Sequence, residues 1–141
     1  MVRRNKMKFL TEEWCAEFEA KLTEAFSAGK TPTKMTLSLC EGFGAVPQLG
    51  GKDIWYKYTL ENGILVKIEK GFGMDTAPAA DYVSFADYEI VRKIMTGDMG
   101  IAKALLGGKI KLKGNVTKAI KMLDTYNLVQ ETKSLGGTTE W

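Results

Sequence analysis

Asn62-Gly63 lies between two runs in which apolar and polar residues alternate, and this arrangement limits the fold more than any other feature of the chain. A type I′ turn needs positive φ at both central residues, which Asn and Gly tolerate, so the pair predicts a tight β-hairpin. On the first arm Ile54, Tyr56, Tyr58 and Leu60 alternate with Trp55, Lys57 and Thr59. On the second, Ile64, Val66 and Ile68 alternate with Leu65, Lys67 and Glu69. Three further runs read as strands. Met35, Leu37 and Leu39 alternate with Thr36 and Ser38; Asp81 to Phe85 sets Val83 and Phe85 against Tyr82 and Ser84; Lys109 to Lys113 sets Ile110 and Leu112 against three lysines. Five strands with one apolar and one mostly polar face predict a mainly antiparallel sheet covered on one side.

The cover must be helical. Thr11 is placed to cap a helix whose first turn carries Glu12 and Glu13, favourable near the positive end of the helix dipole. Trp14, Phe18, Leu22 and Phe26 follow at fourfold spacing, and Gly29 with Pro32 marks the end. Asp87 to Thr96 places Tyr88, Val91, Ile94 and Met95 on one stripe. Met99 to Leu106 is apolar nearly all round, interrupted by Lys103. Asn115 is expected to cap a helix with Val116, Ala119, Ile120 and Leu123 inward and Lys118 and Lys121 outward, and a last short helix is expected around Tyr126 to Lys133. The predicted class is α+β, as one domain spanning residues 1–141.

Composition narrows the function. The chain has no histidine, which removes the commonest general base and metal ligand at neutral pH. No metal, cofactor or catalytic residue is expected. Cys15 and Cys40 are far apart and in no CxxC pattern, which suits a reducing cytoplasm. The basic amino terminus lacks the apolar stretch of a signal peptide, and no apolar run approaches the roughly 18 residues of a membrane span. A net charge of +3 permits anionic partners without demanding them.

The segments Asp81-Tyr-Val-Ser-Phe-Ala-Asp-Tyr-Glu-Ile-Val-Arg-Lys-Ile-Met-Thr-Gly97, Met99-Gly-Ile-Ala-Lys-Ala-Leu-Leu-Gly-Gly-Lys-Ile-Lys-Leu-Lys-Gly-Asn115 and Lys118-Ala-Ile-Lys-Met-Leu123 resemble the sterol carrier protein 2 family. Gly108-Lys-Ile-Lys-Leu-Lys-Gly-Asn115 between two helices carries most of the likeness, and Ile94-Met-Thr-Gly97 is the second piece. The resemblance implies a five-stranded sheet, helices over one face, and a hydrophobic tunnel between the layers for a fatty acid, fatty acyl-CoA, phospholipid or sterol-like ligand. The chain departs from peroxisomal members by ending in Thr-Thr-Glu-Trp141, so a free-standing cytoplasmic carrier is expected.

Within that frame the ligand-binding candidates are Ile94, Met95, Met99, Ala102, Leu105, Leu106, Leu112, Ile120, Met122, Leu123 and Leu128. The helix Met99 to Leu106 is the expected wall, one side packing on the sheet and the other lining the cavity. Methionines suit adaptable walls. Met122 falls off the main inward stripe and is expected to face the carboxy-terminal segment with Leu128. Lys109, Lys111 and Lys113 are expected on the solvent face of their strand, where they can meet an anionic membrane surface or keep an edge strand from aggregating. They lack the aromatic ladder that nucleic-acid binding would want, so no nucleic-acid partner is expected. Gly42-Phe-Gly-Ala and Gly71-Phe-Gly-Met do not read as phosphate-binding fingerprints and are taken as loops. Two alternatives stand beside the carrier. One is a small enzyme using a buried carboxylate or tyrosine, with Asp81 or Tyr82 first in line; the other is an accessory domain presenting acyl-CoA to a partner enzyme.

Overall fold

The computed structural model describes residues 6–114 and 119–141, and for residues 119–121 the backbone alone. The expected cap at Asn115, with Val116 and Lys118, lies outside the described residues, as do the side chains of Ala119, Ile120 and Lys121. Elements follow in the order β1 (Met7–Lys8), α1 (Glu12–Ala25), β2 (Leu37–Val46), β3 (Lys52–Glu61), β4 (Ile64–Phe72), β5 (Tyr82–Asp87), α2 (Tyr88–Met95), α3 (Ile101–Leu106), β6 (Lys111–Gly114), α4 (Ala119–Thr132) and β7 (Thr139–Glu140). The architecture is α+β. A five-stranded sheet has the order β4-β3-β2-β5-β6. It is mixed: β2 and β5 run parallel, and the other neighbours are antiparallel.

Helix α1 forms as its spacing predicts. The Thr11 side chain accepts from the Trp14 N–H at 3.4 Å, and Trp14, Cys15, Phe18 and Leu22 are buried. The hairpin forms at Asn62-Gly63, with Asn62 at φ 51° and Gly63 at φ 80°. A bulge between Thr59 and Leu60 corrects the expected facing of β4. The bulge brings Leu65 opposite Leu60 and buries it, while Ile64 and Val66 turn to solvent and Ile68 packs inward again.

The glycine stretch after Leu39 is strand rather than loop. β2 runs unbroken through Gly42-Phe-Gly-Ala and places Leu37, Leu39, Glu41 and Phe43 on the helix-covered face. A Cβ at Gly42 would meet the end of the Met74 side chain and the Phe85 ring on the opposite face, so glycine leaves room for both. Gly71-Phe72 likewise closes β4, with the Trp55 ring lying against Gly71. β5 also turns differently from expectation: its register puts Tyr82, Ser84 and Ala86 under the helices, and Val83 and Phe85 on the far side. Finally, the two carboxy-terminal helices expected are one, because nothing between Leu123 and Tyr126 breaks the helical run of α4. β1 pairs with β7 in parallel, tying the two ends of the described chain together.

The core is unequal along the sheet. Over β2 and β3, α1 brings Trp14 and Phe18 into stacked contact at 4.7 Å between centroids, and Phe18 meets the Tyr56 and Tyr58 rings edge-on. Such rings fill volume in fixed geometries. Burial pushes the Tyr56 and Tyr58 phenols up, aided by neighbouring negative charge.

Two outcomes test this account. Gly63→Ala would drive a Cβ into the Thr33 carbonyl at a positive φ, so urea denaturation is expected to show a loss of about 2–3 kcal/mol; an unchanged midpoint would mean the hairpin is not held against the Thr31–Thr33 segment. In alkali, the unfolded chain loses phenolic protons near pH 10 while folded Tyr56 and Tyr58 keep theirs. The folded state then binds more protons, so stability falls as pH rises past that point. Tyrosinate absorbance from these two residues is expected to appear only with unfolding, and full ionisation of all five tyrosines in the folded protein would contradict their burial.

Candidate functional site

Where the aromatic packing ends, over β2, β5 and β6, the roof is α2, α3 and α4. Here the facing side chains are aliphatic and mostly half-buried: Ile94 and Met95 from α2, Ile101 and Leu105 from α3. Two small cavities open between this roof and the sheet. The first, about 20 Å³, is lined by Glu41, Phe43, Ser84, Val91, Ile94 and Tyr126 among others. The second, about 30 Å³, is lined by Leu105, Leu112, Met122 and Leu123. Ile101, Ile110 and Tyr126 border both, so the two form one interrupted cleft. Each has room for a water-sized group, whereas drug-sized ligands occupy about 300–1,000 Å³. Neither cavity by itself has the volume of an elongated tunnel.

The candidates named from sequence fall into three groups. Ile94 and Met95 line the first cavity, and Leu105, Leu112, Met122 and Leu123 the second. Met99 and Leu128 pack against the core without reaching either. Ala102 and Leu106 point to solvent, Leu106 being 91% exposed. The reason is the shortness of α3: six residues bury one side only, so Ala104 is inside and the opposite face remains wet. Leu123, expected inward, is 42% exposed at the rim. The side chain of Ile120 lies outside the described residues.

Sequence reasoning did not single out the polar end of the cleft. Glu41, 4% exposed, projects from the central strand into the first cavity's wall. It forms an ion pair with Lys133, whose side chain is fully buried just past the end of α4. The Tyr58 hydroxyl donates to Glu41 Oε1 at 3.0 Å, and Gln130 Nε2 donates to Oε2 at 2.8 Å. Lys133 Nζ also donates to Gln130 Oε1 at 2.6 Å and stands 5.1 Å from the Phe43 ring centroid. Burial pulls the Lys133 ammonium below its ordinary range, and the Glu41 carboxylate pushes back. Burial, then the Glu41 charge, raises the Tyr126 phenol. The available signal was period: Glu41 falls on the inward face once β2 is extended through Phe43, and an inward charge demands a partner.

The residues expected to serve an enzymatic reading lie elsewhere. The Asp81 carboxylate accepts from the Ser38 N–H at 2.8 Å and Oγ at 3.2 Å, locking β2 to β5 at an exposed site. Tyr82 is buried on β5 and borders neither cavity. On the opposite face of the sheet, Met74, Val83 and Phe85 floor an open groove of about 290 Å³ beside Lys111 and Lys113. No group of histidines, cysteines and carboxylates among the described residues could hold a metal. No helix among them is long and apolar enough to cross a membrane.

A five-stranded mixed sheet roofed on one face by four helical segments, with the cleft between layers, is the sterol carrier protein 2-like fold. A crystal structure of sterol carrier protein 2 aligns at a TM-score of 0.65, with 22% identity over 87% of this chain and 95% of that one. A solution structure from Thermus thermophilus, described as possibly a sterol carrier protein, aligns at 0.60, with 23% identity over 92% and 87%. A solution structure of palmitated SCP2L2 from Aedes aegypti aligns at 0.51, with 17% identity over 77% and 90%. No family model and no curated protein matches the chain by sequence.

The buried pair makes a prediction. Lys133→Met leaves Glu41 uncompensated in the interior and is expected to cost about 3–5 kcal/mol of stability, whereas Glu41→Gln with Lys133→Met should restore most of it. Urea denaturation of the three proteins decides; a harmless single substitution would show that Glu41 reaches water.

Proposed function

We propose that this chain binds a long apolar ligand between the α2–α3–α4 roof and the sheet, and carries it unchanged. The observation that carries the reading is the interrupted cleft, roofed by a helix that fully buries only Ala104. A six-residue helix gains little stability of its own. Helix α3 is bracketed by Gly97-Asp-Met-Gly100 on one side and Gly107-Gly108 on the other. Lifting α3 would join the two cavities and extend them to the rim at Leu106, Leu112 and Leu123. Sterol carrier protein 2 and palmitated SCP2L2, which share the fold, support a lipid as the guest.

The energetics allow this without polar contacts. Burying a methylene is worth about 0.8 kcal/mol, so a chain of about sixteen carbons grosses on the order of 13 kcal/mol. Lost freedom and side-chain ordering return about 4–15 kcal/mol of it. Affinity then falls in the micromolar to nanomolar range and rises with chain length. Exposed Leu106, Leu112 and Leu123, with the exposed Lys103, Lys109, Lys111 and Lys113 close by in sequence, suit transient contact with an anionic bilayer during loading. Free, buried Cys15 and Cys40 fit residence in a reducing cytoplasm. The carboxylate facing the cleft is paired with Lys133 and accepts from Tyr58 and Gln130, which fixes its position.

A fluorescent long-chain fatty probe is expected to saturate one site, and organic extracts of the purified protein to contain lipid. Ile101→Trp fills the space common to both cavities and should weaken the probe at least about tenfold. Leu106→Trp, at the exposed rim, should change affinity far less. If neither titration nor native mass spectrometry detects a bound lipid, the proposal fails.

A further inference from the structure

The Glu41–Lys133 pair is expensive to bury and is not needed to fill space, since apolar residues of like volume would serve stability as well or better. Its position gives it another use. Glu41 and Gln130 both line the first cavity, which otherwise presents apolar groups such as Phe43, Val91, Ile94 and Ile110. Each Glu41 oxygen has two lone-pair sites. Among the described residues, Oε2 receives Gln130 and Lys133, while Oε1 receives Tyr58. One acceptor site on Oε1 and the second N–H of Gln130 Nε2 are therefore uncommitted. The space beside them, about 20 Å³, fits one hydroxyl-sized group.

We propose that Glu41 and Gln130, held in place by Lys133 and Tyr58, form a subsite for a hydroxyl at the inner end of the ligand, so that the preferred guest is a neutral apolar alcohol rather than a fatty acid anion. This inference rests on the lipid-binding reading above. A hydroxyl can donate to Glu41 and accept from Gln130 at once, reproducing what a water would do there. An ionised carboxyl has no proton to offer and sets a second negative charge beside Glu41, which is unfavourable in a desolvated site. The cluster is neutral as a whole, so it exerts no net pull on an anion. The apolar body would then run past Ile101, Ile110 and Tyr126 toward Leu105 and Leu123.

The test is displacement of the fluorescent fatty probe by dodecanol and by dodecanoate at neutral pH. An alcohol leaves water more readily than an ionised acid does, so the deciding quantity is how the preference changes when the subsite is altered. Dodecanol is expected to bind at least about tenfold more tightly than dodecanoate. In Gln130→Met, and in the folded double variant Glu41→Gln/Lys133→Met, the ratio should fall by about tenfold while the chain still binds. Circular dichroism checks that each variant is folded. A ratio unchanged in both variants, or dodecanoate binding as tightly as dodecanol, overturns the alcohol subsite and leaves lipid binding intact. If neither compound displaces the probe, the subsite falls; if the probe itself does not bind, the carrier reading falls with it.

Discussion

Glu41 and Lys133 are 92 residues apart in the chain and meet in the interior, one on the central strand and the other just past the last helix. Neither charge tolerates burial alone, so each requires the other's element in place. The pair ties the segment just past α4 to the central strand. It also sets the position of Gln130, Tyr58 and Phe43, which close around the pair. The same neighbourhood is anchored from below. The Thr139 hydroxyl donates to the Lys133 carbonyl at 2.5 Å and accepts from the Trp14 indole N–H at 2.9 Å, so α1, β7 and α4 share one polar junction.

On either side of that junction the interior differs in kind. Toward β3, rings pack against rings in stacked and edge-on contacts and leave little to rearrange. Toward β6, isoleucine, leucine and methionine side chains meet a short helix and a four-residue edge strand. Aliphatic side chains change rotamer at modest cost, and Met adapts most readily. The small cavities occur on that side, where a guest could be admitted without disturbing the aromatic half.

Much of this was readable in one dimension. The turn at Asn62-Gly63, the Thr11 cap and the fourfold spacing of Trp14, Phe18 and Leu22 each depend on neighbours within a few residues, and each appears in the structure as read. Resemblance to the sterol carrier protein 2 family pointed to the same fold that structural comparison shows. The misreadings share a cause. The bulge at Thr59–Leu60 inverts the facing of β4 at Ile64 to Val66, and pairing with β2 inverts the faces of β5, because a strand's inward face is chosen by its partner's register. Gly42 and Gly44 read as loop residues, since nothing local announces that Met74 and Phe85 will lie across them. Leu106 and Ala102 read as cavity wall because apolar residues on two sides of a helix suggest one side on the sheet and one on a cavity, whereas α3 turns its second side to solvent.

The sequence by itself determined the α+β class, the hairpin and the amphipathic helices. These follow from turn stereochemistry, capping and periodicity, all of them short-range. Only the tertiary structure decided that Glu41 and Lys133 would meet, that Ile101, Ile110 and Tyr126 would border two cavities, and that α3 would present one face to solvent. Those outcomes depend on which elements become neighbours, and that is settled by packing and desolvation summed over the whole chain.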